Sequence, residues 1–124
     1  MARILIIDND PLLLQLLGMH IARNGHEVVP ASGAIEGLRL LLEQEFDAVI
    51  TDVEMPYMDG IEVAKAVRGD PRTSHLPILL LTAHGGDEIE GEALALRALH
   101  VAKPVPADHL LGYIEKMLEK KNSA

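Results

Sequence analysis

The chain has 124 residues, enough for one domain, and no cysteine, which excludes thiol catalysis, cysteine-ligated zinc and a disulfide framework and suits a reducing cytosol. Eleven Lys and Arg against 19 Asp and Glu leave a formal net charge of −8, so the surface repels phosphate backbones and anionic lipid, and direct nucleic-acid or membrane binding is not expected. The aromatics Phe46, Tyr57 and Tyr113 are too few for base stacking, and no apolar run suits a signal peptide or a membrane span, so a cytoplasmic domain is expected.

Strand-like and helix-like segments alternate along the chain. Ile4 to Ile7 is a continuous apolar run rich in β-branched residues, the mark of a strand buried on both faces. Pro11 opens a helix with Asp10 as its N-cap. The expected inward face is Leu13, Leu16, Leu17, His20 and Ile21, with a stop near Asn24-Gly25. Val28-Val29 belongs to a short second strand, and Gly33 to Gln44 forms a second helix with Ile35, Leu38, Leu41 and Leu42 inward. Ala48 to Thr51 is the third strand, closed by Asp52. The segment Glu54 to Gly60 is a loop, punctuated by Pro56 and Asp59-Gly60. The third helix puts Ile61, Ala64 and Val67 inward and breaks at Gly69-Asp70-Pro71. Ile78 to Leu81 is the fourth strand, and Gly85-Gly86 opens a fourth helix without a clean apolar stripe. Val101-Ala102 makes a brief fifth strand. The last helix runs from about Pro106 to Lys120, with Leu110, Leu111, Ile114, Met117 and Leu118 inward.

Five βα units imply a doubly wound parallel sheet with helices on both faces. Ligands of such sheets bind outside the carboxyl ends of the strands. Strand one ends in Asp8-Asn9-Asp10, strand three in Asp52, strand four in Thr82-Ala83 and strand five in Lys103-Pro104, so these side chains converge on one rim. Carboxylates about 4 Å apart repel by roughly 4 kcal/mol per pair at an effective dielectric near 20. Lys103 compensates one charge. The remainder suggests a hard divalent cation with oxygen ligands, and Mg²⁺ is typical beside phosphate.

The pattern resembles the receiver domain of two-component response regulators over nearly the whole chain, 1–124. Ile6-Ile7-Asp8-Asn9-Asp10-Pro11 is similar to that family's acidic-pocket segment, and Asp52-Val53-Glu54-Met55-Pro56-Tyr57-Met58-Asp59-Gly60 to its phosphoacceptor motif. Leu81-Thr82-Ala83 and Lys103-Pro104 fall where the family places its Thr and Lys. The resemblance implies the flavodoxin-like strand order 2-1-3-4-5 and a cis bond before Pro104. It implies that Asp52 takes a phosphoryl group from a sensor histidine kinase or phosphotransfer protein. Mg²⁺ would then sit between Asp8, Asp52 and the main-chain carbonyl of Glu54. Lys103 would pair with one phosphoryl oxygen, and the Thr82 hydroxyl with another. By the same resemblance, the fourth helix, fifth strand and last helix form the output face for a downstream target, an effector domain or a homodimer partner. The protein would be a phosphoacceptor that assists its own phosphorylation and dephosphorylation, not an enzyme.

Asn9 stands where the family usually has a second acidic residue, so the metal site loses one charge. His100 replaces a usual Tyr or Phe three residues before Lys103, which makes the switch smaller and titratable. Leu96 and Arg97 replace a usual Gly-Ala pair. Asn9 and His100 leave open a non-phosphorylated pseudo-receiver that acts only as an interaction module; Asp52, Thr82 and Lys103 oppose it. A phosphohydrolase of similar topology would need Asp two residues after the nucleophile, where position 54 is Glu. Nucleotide, dinucleotide, serine-hydrolase and zincin motifs are absent, and the six histidines lack metal-ligand spacing. With a polar tail, Glu119 to Ala124, and no effector domain, a stand-alone regulator and an excised domain are both expected readings.

Overall fold

The computed structural model describes residues 2–122, with side chains through residue 119. Within these residues, five strands alternate with five helices. They are β1 (Arg3–Ile7), α1 (Pro11–Arg23), β2 (Glu27–Ala31), α2 (Ala34–Glu43), β3 (Ala48–Asp52), α3 (Gly60–Gly69), β4 (Ile78–Thr82), α4 (Asp87–Ala95), β5 (Leu99–Ala102) and α5 (Ala107–Asn122). All strand pairs are parallel and the order is β2-β1-β3-β4-β5. This is the doubly wound, flavodoxin-like arrangement. The end of the polar tail, residues 123 and 124, lies outside the described residues. No described helix is long and apolar enough to cross a membrane.

The two-residue strand period divides the core between the sheet's two faces. Ile4, Ile6, Ala48, Ile50, Leu79 and Leu81 pack with α1 and α5, whereas Leu5, Ile7, Val49, Ile78 and Leu80 pack with α2 and α3. Both sets are buried, which is why these strands appear in the sequence as unbroken apolar runs. Asp10 caps α1 by accepting from the Leu12 and Leu13 N–H groups. Asp59 and Glu62 form a reciprocal capping box at the start of α3. Gly86, at φ +134°, starts α4 in a conformation that a side chain would disfavour.

Two helix faces differ from expectation. In α1 the buried stripe is Leu14, Leu17 and Ile21, with Leu13 and His20 half-buried and Leu16 56% exposed. Leucines at 12, 13, 14, 16 and 17 wrap most of that helix, so apolar spacing alone does not select the stripe. In α2, Ile35 and Leu42 point outward at 71% and 65% exposure, and Ala34, Gly37 and Leu41 are buried instead. The reason is close approach: a Cβ at Gly37 would lie 2.4 Å from Ile7 Cδ1, so the smallest residues take the contact positions. In α5, Leu110, Ile114 and Met117 are buried while Leu111 and Leu118 are half-buried. The Lys103–Pro104 bond is cis.

Candidate functional site

The rim at the carboxyl ends of the strands is held by main-chain bonds that continue the ladder just past β1, β3 and β5. Asp8 N–H donates to Ala31 O (3.1 Å), Val53 N–H to Leu81 O (2.8 Å) and Lys103 N–H to Thr82 O (2.8 Å). The strand period then sets direction. Asp8 continues the Ile4-Ile6 phase, Asp52 the Ala48-Ile50 phase, and Lys103 the phase of Val101, all three on the side of α1 and α5. The approach of α3 is equally tight, because a Cβ on Gly60 would lie 2.2 Å from the Asp52 carbonyl oxygen.

These constraints bring Asp8, Asp52 and Lys103 into one ionic cluster. Lys103 Nζ donates to Asp8 Oδ2 at 3.2 Å and lies 3.1 Å from Asp52 Oδ1, without hydrogen-bond alignment in the second contact. Asp8 Oδ1 accepts from the Asp10 N–H at 2.9 Å. Asp8 and Asp52 are 2% and 4% exposed, so two buried carboxylates share one ammonium. Burial pushes the Asp52 pKa up, and the Asp8 and Glu54 charges add to that, while Lys103 pulls it partly back. Burial opposes the Lys103 charge, but contacts with Asp52 and Asp8 outweigh it and hold the ammonium above its ordinary pKa.

Excess negative charge on oxygen donors suits a hard cation. Among the described residues no three His, Cys, Asp or Glu side chains converge, so a cation here would rely on the two carboxylates and main-chain oxygen. Mg²⁺ accepts such a set, because it binds through one or two carboxylates and keeps several waters. The residues fit the ion by charge and by donor chemistry.

Thr82 ends β4 fully buried, its Oγ 2.8 Å from Glu54 Oε2 and 2.9 Å from His84 O, while it accepts from the His84 N–H at 3.0 Å. The Glu54 side chain is the participant that the sequence did not disclose. Its Oε1 also accepts from the Ala83 N–H at 2.7 Å, so one exposed carboxylate bridges the last residue of β4 and the first of the loop that follows. No sequence signal marks that contact, since position 54 reads only as loop. Asn9 is exposed in a groove beside Ser32 to Glu36 and Met55 to Met58, and the Asp10 side chain serves the α1 cap. His100 is half-buried on β5 opposite Leu80 and lines a pocket of about 420 Å³ that also reaches Thr82, His109 and Tyr113.

Residues 4–115 match the family model described as the response regulator receiver domain. The chain is 36% identical over 126 aligned positions to the transcriptional regulatory protein GlrR of Escherichia coli K12, covering 99% of this chain and 28% of that protein. It therefore spans little more than a quarter of that relative's length. Among solved structures, the chemotaxis protein CheY4 of Vibrio cholerae aligns with a TM-score of 0.90 at 33% identity, covering 95% of this chain and 99% of that one. The response regulator TrrA of Thermotoga maritima, solved in complex with Mg²⁺-BeF, aligns with a TM-score of 0.84 at 31% identity, over 95% of this chain and all of TrrA.

Proposed function

The chain belongs to the response regulator receiver domain family, and from that premise we propose that residues 1–124 form one receiver unit whose phosphoacceptor is Asp52. The observation that carries this is the pair of buried carboxylates, Asp8 and Asp52, sharing the single ammonium of Lys103, with Thr82 ending the neighbouring strand β4. The donor is a phosphohistidine on a sensor histidine kinase or phosphotransfer protein. An Asp52 carboxylate oxygen attacks the phosphorus. The O–P bond forms as the P–N bond breaks, and the imidazole nitrogen keeps the electron pair and is protonated by solvent. Lys103 offsets the charge that accumulates as a phosphoryl group nears two carboxylates, and the Thr82 hydroxyl receives one phosphoryl oxygen. Asp8, Asp52 and the Glu54 carbonyl would hold Mg²⁺, with Asn9 adjoining. When bound, the ion neutralises charge on the phosphoryl oxygens. The protein is thus both site and substrate, and does not turn over a separate substrate as an enzyme does.

The output runs from Thr82 past His100 to the face of α4, β5 and α5, where Leu94 and Leu99 are 80% and 37% exposed. That face suits a downstream protein, an effector domain or a second copy, in the cytoplasm. The test is incubation with acetyl phosphate and Mg²⁺ followed by intact mass. Wild type is expected to gain one phosphoryl mass and Asp52→Asn none; equal labelling of the two would overturn the assignment.

A further inference from the structure

Phosphorylation of Asp52, as proposed above, requires the Thr82 hydroxyl to be free to meet a phosphoryl oxygen, yet this structure has it engaged. Glu54 Oε2 lies 2.8 Å from Thr82 Oγ, and Oε1 accepts from the Ala83 N–H at 2.7 Å. A carboxylate with two oxygens on a hydroxyl and an amide presents those donors with the same kind of anionic acceptor that a phosphoryl group offers. We propose that the Glu54 side chain is a built-in competitor for the phosphoryl-oxygen donors, holding Thr82 and Ala83 until a phosphoryl group on Asp52 displaces it. This rests on the phosphoacceptor role of Asp52.

Three observations support the proposal. One donor ends β4 and the other opens the β4–α4 loop, so whichever anion they meet fixes the start of the loop that leads to α4. The two ends of the bridge differ in freedom: Thr82 is fully buried, whereas Glu54 is exposed and can swing into solvent without unpacking the core. Finally, Glu54 lies two residues after Asp52, so its charge faces any anion arriving at that carboxylate, in the same sense as its effect on Asp52 itself. Glu54 therefore sets how readily the site accepts a phosphoryl group, as a positioning residue outside the bond-forming atoms.

The test compares wild type, Glu54→Ala and Glu54→Asp in acetyl phosphate and Mg²⁺, by initial rate of mass gain and by the Ala83 amide proton shift before phosphodonor is added. The variants change the side chain and keep the main-chain carbonyl. Glu54 is exposed, and an ordinary hydrogen bond nets about a few-fold to tenfold, so Glu54→Ala is expected to label about three- to tenfold faster. Its Ala83 amide proton should move upfield relative to wild type. Glu54→Asp keeps the charge but is one methylene too short to span both donors, so it should also label faster than wild type. Wild-type labelling with no gain in Glu54→Ala overturns the inference. So does a gain in Glu54→Ala with Glu54→Asp equal to wild type, which would make the effect one of charge alone. No label on any of the three proteins removes the phosphoacceptor role itself, and this inference with it.

Discussion

Asp52→Asn is expected to stabilise the protein in metal-free buffer, although it deletes an ion pair. At an effective dielectric near 20, losing the 3.1 Å contact with Lys103 costs about 5 kcal/mol. The Asp8 and Asp52 oxygens that meet the same ammonium are at most about 6 Å apart, so the mutation also relieves about 3 kcal/mol of repulsion. Restoring water to a buried carboxylate is worth several kcal/mol after relaxation, and that gain decides the sign. The raised pKa of Asp52 points the same way, because burial outweighs the pull of Lys103. A carboxyl with a higher pKa folded than unfolded opposes folding once it ionises, so its cost grows as pH rises through that range and persists at neutral pH. The mutation leaves no orphan cation, since Lys103 keeps Asp8 at 3.2 Å. The net expectation is about 1–2 kcal/mol of added stability, or a melting temperature roughly 3–8 °C higher. Thermal melts in chelator at neutral pH measure this, and Mg²⁺ should then raise the wild-type melting temperature more than that of Asp52→Asn. A mutant that melts below wild type in chelator would refute the reasoning, because the ionised Asp52 would then be a net contributor to folding.

Gly60→Ala is expected to destabilise by about 3 kcal/mol or more, since its Cβ would lie 2.2 Å from the immobile Asp52 carbonyl; chemical denaturation checks this, and a loss below 1 kcal/mol would show that α3 can recoil. Ser32→Ala should bring the Glu36 titration midpoint up toward the ordinary value, because the Ser32 hydroxyl at 2.7 Å is the first cause of its depression. A depressed carboxyl adds stability above its unfolded pKa and loses it as pH falls through the folded pKa, so wild type should lose stability on acidification below about pH 4 more than the variant does. Carboxyl NMR titration with parallel melts measures both.

The parallel sheet and the converging rim were legible because they rest on strong, redundant signals, whereas the strand order came with the family resemblance. The apolar runs at Ile4 to Ile7 and Ile78 to Leu81 mark strands buried on both faces, and the two-residue period fixes which rim residues share a side. The helix faces were less legible for opposite reasons. The leucines of α1 offered too many choices, while the α2 contact with β1 is made by Ala34 and Gly37, which apolar ranking passes over. Tyr57 lay in a segment read correctly as loop, but its φ of +70° and full exposure follow from the path between Pro56 and the Asp59 cap, which composition does not encode.

The site itself is visible as a breach in the logic of the core. Among the described residues the buried polar or charged side chains are Asp8, Thr51, Asp52, Thr73 and Thr82. Thr73 has a structural partner, its hydroxyl donating to Val67 O at 2.8 Å. Thr51 likewise donates to the Asp52 carbonyl at 3.0 Å. The other three stand at or just beyond the carboxyl ends of β1, β3 and β4, where a sheet built only for stability would carry apolar residues. Burying carboxylates there opposes folding unless they are compensated, and Lys103 compensates one charge of two. Under the function proposed above, the uncompensated charge is what a cation, and then a phosphoryl group, would meet, in a way that a fully neutralised pair would not offer. Glu54 adds to the same negative field from outside the core, and its flexible side chain explains why sequence position alone did not reveal where its carboxylate rests.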